Sequence, residues 1–112
     1  MSEKVGLDRL PEVVAVWAGV PMFLTTDADG RPRASAVSVE WKDTEAVVYA
    51  GRRSVANAAD RTLVSLLWPA PPGEPRALLV DGIAAETDAA AGTVRVRTTS
   101  AIYHVVDRSA GC

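Results

Sequence analysis

Residues 23–41 read FLTTDADGRPRASAVSVEW, and their pattern decides the fold class. With Met22 before it, the short run MFLTT meets the turn signal DADG, whose glycine stands where the backbone angles are most demanding. The chain then alternates with period two. Ala34, Ala36, Ser38 and Glu40 fall on one side, and Ser35, Val37, Val39 and Trp41 on the other, as an extended strand requires. A second turn, KDTE at 42–45, leads into AVVYA at 46–50. The three segments read as an antiparallel meander.

Toward the N-terminus the pattern is helical. Leu10, Val13, Val14 and Trp17 recur at helical spacing, with Asp8 as the expected N-cap and Pro11 in the first turn, where its missing N–H costs little. Gly19 and Pro21 end this helix. Toward the C-terminus, SVANAAD at 54–60 interrupts the strands with one or two helical turns, Ser54 serving as N-cap. LVSLLW at 63–68 resumes β-structure and stops at Pro69, and PAPPGEP at 69–75 is a stiff loop. ALLVDGIAAE at 77–86 is the next strand, with Gly82 marking a bulge or a close backbone approach. DAAAG turns the chain, and TVRVR and AIYHVV form the last strands.

About six antiparallel strands with few helices predict a mainly-β fold, a six-stranded barrel formed by residues 1–112 as one domain. In LVSLLW and ALLV both faces are apolar, whereas a barrel of this size buries only its inner set. The outer set needs either the N-terminal helix or a second subunit to cover it, and a homodimer is the expected cover.

Composition removes several function classes. Twelve cations against fourteen carboxylates give a net charge of −2, no field for attracting nucleic acid. The single cysteine, Cys112, and the single histidine, His104, can form neither an internal disulfide nor a zinc site. The polar N-terminus and the absence of a long apolar run predict no membrane span and a cytoplasmic protein. DADG reads as a plain turn, not a carboxylate pair, and His104 as a hydrogen-bonded structural residue. No side chain earns a catalytic assignment.

One constellation stands out, YAGRRSVANAAD at 49–60. A strand ends at Tyr49 and Ala50, Gly51 turns the chain, Arg52 and Arg53 follow, and a helix opens. Guanidinium forks and free helical N–H groups both suit an anion. Equally, the two arginines fit an exposed pair bridging to surface carboxylates.

Taken together, FLTTDADGRPRASAVSVEW, VVYAGRRSVANAADRTLVSLLW and ALLVDGIAAE resemble the pyridoxamine 5′-phosphate oxidase-like split-barrel flavoproteins, over about residues 21–106. The resemblance implies a split-barrel homodimer with FMN in two clefts between subunits, acting on a small-molecule substrate. Carried onto this chain, it implies that Ser35, Ala36, Val37 and Ser38, with Glu40 closing that strand segment, approach the flavin ring. Tyr49 and Ala50 would line it, and Arg52, Arg53 and Ser54 would grip the phosphate. The sequence departs from the oxidase pattern at Ser35 (Arg there), Glu40 (Lys), Ser54 (Lys) and Ala77 (Gln), and it lacks the oxidase's C-terminal substrate-binding extension. Oxidation of pyridoxamine phosphate is therefore not expected. A deazaflavin in the same groove, or a cofactor-free binding protein, are the alternatives.

Overall fold

The computed structural model describes residues 2–17 and 19–105. Eight strands and two helices follow in chain order: β1 (Ser2–Lys4), a 3-10 turn (Leu7–Arg9), α1 (Leu10–Trp17), β2 (Met22–Thr26), β3 (Pro32–Ala36), β4 (Ser38–Lys42), β5 (Glu45–Tyr49), α2 (Arg52–Asp60), β6 (Leu63–Trp68), β7 (Arg76–Asp88) and β8 (Thr93–Val105). All pairings are antiparallel, in the order β3-β2-β6-β7-β8-β5-β4, with β1 added to β8.

The two ends of that order are the key to the architecture. β3 and β4 are consecutive in the chain and joined by Val37 alone, yet they lie on opposite ends of the sheet path. The path therefore closes on itself into a curled half-barrel. The expected meander is corrected here: β2 pairs with β3 and β4 with β5, but the two hairpins do not pair with each other. The alternation of residues 34–41 runs straight through the junction, because β3 and β4 are one bent strand that changes partner at Val37. Val37 donates its N–H to the Pro21 carbonyl at 3.1 Å as the change occurs. Counted so, and with β1 a short addition, the barrel has the six strands expected. The last two expected strands are one: Thr98, Thr99 and Ser100 stay extended within β8, and Val106 lies outside the described residues.

The core is the inner face of this curl. Phe23, Leu66, Val80 and Ala101 stand opposite one another across β2, β6, β7 and β8, each nearly inaccessible to solvent. At roughly 25 cal/mol per Å² of apolar surface removed from water, such rows supply the main stabilisation. Gly82 sits at a register shift in β7, where a Cβ would run into Val96 and stand 2.8 Å from the Arg97 carbonyl. The close approach expected of it is there. In the DADG turn Gly30 takes φ +85°, a left-handed conformation that an L side chain would strain.

Two helices close the curl where strand pairing stops. α1 packs through Leu10 and Trp17, and the Trp17 ring stacks on Tyr103 at 5.1 Å. The Arg76 guanidinium lies 4.2 Å from the Tyr103 ring centre and is ion-paired to Glu74 at 2.8 Å. Asp8 is not the N-cap: it lies inside the 3-10 turn, where the Leu10 N–H already bonds the Leu7 carbonyl. Ser54 is not an N-cap either. The helix opens three residues earlier, after Gly51 in an extended conformation, and α2 runs nine residues, longer than expected.

Candidate functional site

The strand ends gather the residues that the sequence singled out. Ser38 opens β4 and stands directly opposite Tyr49, the last residue of β5. Ala50 follows, its N–H bonded to the Gly92 carbonyl at 2.9 Å, and Gly51 hands the chain to α2. From the other side, the Ser35 and Ser54 hydroxyl oxygens lie 3.0 Å apart, fixing the start of α2 against β3. One region of the molecule thus holds the end of β3, the start of β4, the end of β5 and the first turn of α2.

Within it the side chains divide. Ala36, Ser38, Tyr49, Arg52 and Arg53 are exposed, Ser35 and Ala50 are half-buried, and Val37 and Ser54 are buried. Ser54 spends its hydroxyl on Ser35, so what it presents outward is its backbone N–H. The first helical bond runs from the Val55 N–H to the Gly51 carbonyl at 3.1 Å. The N–H groups of Arg52, Arg53 and Ser54 therefore have no acceptor within the helix. Neither Arg52 nor Arg53 forms an ion pair among the described residues. Three free donors, two guanidiniums without an ion pair among the described residues and the small residues Ala36, Ser38, Ala50 and Gly51 form a backbone-lined surface whose chemistry suits an anion. A phosphate-bearing planar cofactor fits that donor set. Glu40 lies on the same exposed face as Tyr49, and its carboxylate holds the Tyr49 phenol above the usual tyrosine range, with desolvation adding to the effect.

Beneath the site runs a polar layer that the sequence reading missed. The Asn57 amide donates to Thr25 Oγ1 at 3.2 Å and to Asp27 Oδ1 at 2.8 Å. Asp27 Oδ2 accepts from Arg33 Nε at 2.5 Å, and Arg61 reaches the Asn57 side-chain oxygen and the Thr26 carbonyl. The hydrogen bond from Arg33, then that from Asn57, hold the Asp27 carboxyl below the usual carboxylate range. The signal was available: Ser54, Asn57 and Arg61 stand three and four residues apart, a helical spacing that aligns two residues of α2 with its C-cap.

DADG is a turn, as expected, with Asp29 accepting from the Arg31 N–H at 3.0 Å. His104 is exposed on the outer face of β8, opposite Ala77, with no side-chain hydrogen bond among the described residues, so the expected structural bond is not made. Cys112 lies outside the described residues. Among those residues, no three His, Cys, Asp or Glu side chains gather to hold a metal, and no helix is long and apolar enough to cross a membrane.

The architecture is a split barrel, a fold the chain shares with solved structures. A structure described as an F420 reductase superposes with TM-score 0.61 at 17% identity, over 73% of this chain and 87% of that one. A candidate pyridoxamine 5′-phosphate oxidase from Listeria innocua gives 0.57 at 14%, over 80% and 91%. A FAD-binding protein from Mesorhizobium loti gives 0.58 at 12%, over 93% and 99%. At these identities the likeness is one of fold. No family model matches the sequence, and no curated protein matches it significantly.

Proposed function

We propose that the protein is a homodimeric flavoprotein that binds FMN at the surface formed by Ser35–Ser38, Tyr49–Ala50 and Arg52–Ser54, and acts as an oxidoreductase on a small organic substrate. One observation carries the reading: the unpaired N–H groups of residues 52–54 and two arginines without carboxylate partners converge beside the exposed strand ends at Ala36, Ser38 and Tyr49. Arg53, with Arg52 assisting, would bind the phosphate together with the Ser54 N–H. The Ser35–Ser38 backbone and Tyr49 would orient the ring and exclude water from one face. The bound flavin would supply the electron-transfer chemistry, which no side chain here can provide.

A second reading, a deazaflavin in the same groove, is favoured by the likeness to the structure described as an F420 reductase. The dimer reading is supported by the outer face of the sheet. Met22, Leu67, Leu79 and Ile102 stand in register across four strands there, all half-buried and uncovered by either helix. Beside them lies a recess of about 450 Å³ lined by Lys4–Leu7 and Thr99–Ile102.

The test is a titration by flavin fluorescence quenching. Arg53→Ala removes a charge-assisted contact worth about 1.5–3 kcal/mol, so FMN affinity should fall roughly ten- to a hundredfold. Riboflavin, lacking the phosphate, should bind both proteins alike. Equal weakening of riboflavin would make Arg53 structural. Binding of the deazaflavin F420 without binding of FMN would establish the second reading instead.

A further inference from the structure

Where β4 leaves β3, the barrel has a seam that α1 only partly covers. Val14 of α1, Gly19, Val20 and Pro21 face Val37, Ser38, Val39 and Trp68 across a cavity of about 270 Å³. Its chemistry is uniform. Valines, a proline and an indole make the walls, Gly19 and Ser38 complete the lining, and no ionisable side chain among the described residues lines it.

The walls are held from behind. Trp68 is 1% exposed and stacks on Trp41 with ring centres 6.2 Å apart, and Val37 is bonded to Pro21 through the backbone. These parts belong to the core and cannot collapse inward to fill the space. Val20 at the rim is 64% exposed, an apolar side chain that neither the core nor a helix face requires.

A cavity of about 150 Å³ lined by aliphatic and aromatic side chains stays dry and accepts benzene. The seam cavity is larger, opens to solvent past Val20 and has no charged residue among its described walls, so it suits one apolar face of a fused-ring molecule and disfavours an ion, whose desolvation nothing here would offset. We infer that the seam cavity is a binding site for a small, uncharged, apolar organic molecule of about two fused rings. This goes beyond the flavin reading, since the occupant needs no cofactor. Val37 and Ser38 belong to both surfaces, so a molecule in the seam would lie next to the proposed flavin groove.

The experiment uses the full chain without added flavin, titrated with naphthylamine, whose emission rises in apolar surroundings. Saturable binding at one site per chain is expected, with naphthoate, an anion of similar size, at least about tenfold weaker. Val20→Asp changes an exposed residue and should lower naphthylamine affinity at least about tenfold at unchanged melting temperature. Val14→Trp, which fills the space from α1, should abolish binding, while Leu79→Asp on the opposite face of the sheet should leave it intact. Non-saturable binding, equal affinity for naphthoate, or loss in Leu79→Asp with retention in Val20→Asp and Val14→Trp would overturn the assignment. Because flavin is absent throughout, failure of the FMN reading leaves this result untouched, and the converse holds.

Discussion

Leu66 and Leu79 are each part of an apolar run that looks the same on paper, yet they face opposite ways, and the difference can be measured. Leu66 is 1% exposed, locked between Phe23 and Val80 on the inner face. Truncating it to alanine leaves a cavity in a core that cannot relax, at a cost of about 2–5 kcal/mol. For a chain of this size that lowers the melting temperature by about 8–20 °C, a large share of the roughly 5–15 kcal/mol that holds a domain folded. Leu79 is half-buried on the outer face. Leu79→Ala should cost about 1 kcal/mol or less within one chain, since most of its surface is not buried there. Leu79→Asp should do something different in kind: put a carboxylate into the proposed apolar interface and halve the mass in light scattering, at unchanged far-ultraviolet circular dichroism. Melting at several protein concentrations separates the two effects, because only a dimer's stability depends on concentration. A loss below about 1 kcal/mol for Leu66→Ala would refute the facing of the strands. An unchanged mass for Leu79→Asp, or a monomer in the parent protein, would refute the outer face as the dimer contact.

Asn57→Ala leaves Thr25 and the Asp27–Arg33 pair without their donor, and should destabilise the protein by about 1–3 kcal/mol in urea unfolding. Asp27, held below its unfolded pKa by Arg33 and Asn57, contributes stability that is present above the ordinary carboxylate pKa and lost as pH falls through its lowered value. Asn57→Ala should therefore also flatten the acid limb of the stability profile. Gly82→Ala forces a methyl group into Val96 and the Arg97 carbonyl, and a loss of at least about 1–3 kcal/mol in thermal unfolding is expected. Glu40→Gln removes the charge that raises the Tyr49 pKa, so the alkaline phenol absorbance titration should move to lower pH, with Tyr49→Phe identifying the phase.

The sequence carried local information faithfully and partnership poorly. The alternation of residues 34–41 correctly separated two faces, and the structure shows which is inward, with Val37 buried and Val39 and Trp41 half-buried. It gave no sign that the partner strand changes at Val37, because side-chain period is a property of one strand and pairing is a property of two. Thr98–Ser100 read as a break for the same reason. Their polarity is satisfied by distant groups, Thr98 bonding the Thr44 carbonyl and Ser100 the Asp81 carboxylate, so the strand continues. Ser54 is a residue type that favours caps, but Gly51 already provides the extended entry, and the hydroxyl turns inward to Ser35. The arginines at 52 and 53 were legible as a pair. Their freedom from carboxylates was not, since nearby acids such as Asp27 are engaged elsewhere.

The single-residue junction at Val37 also bears on how the chain reaches this shape. The first half of the sequence makes two hairpins, β2–β3 and β4–β5, tied to each other by one residue and by no strand pairing. β2 must wait for β6, and β5 for β8, strands that lie about forty and fifty residues further along. Such distant pairings bring little reward until the intervening loop has been closed, so they form slowly. During synthesis the early hairpins would emerge with their apolar faces open and nothing to lay them against. Only when the long β7–β8 hairpin is complete can both halves dock on it together, making these later strands the template for the earlier ones.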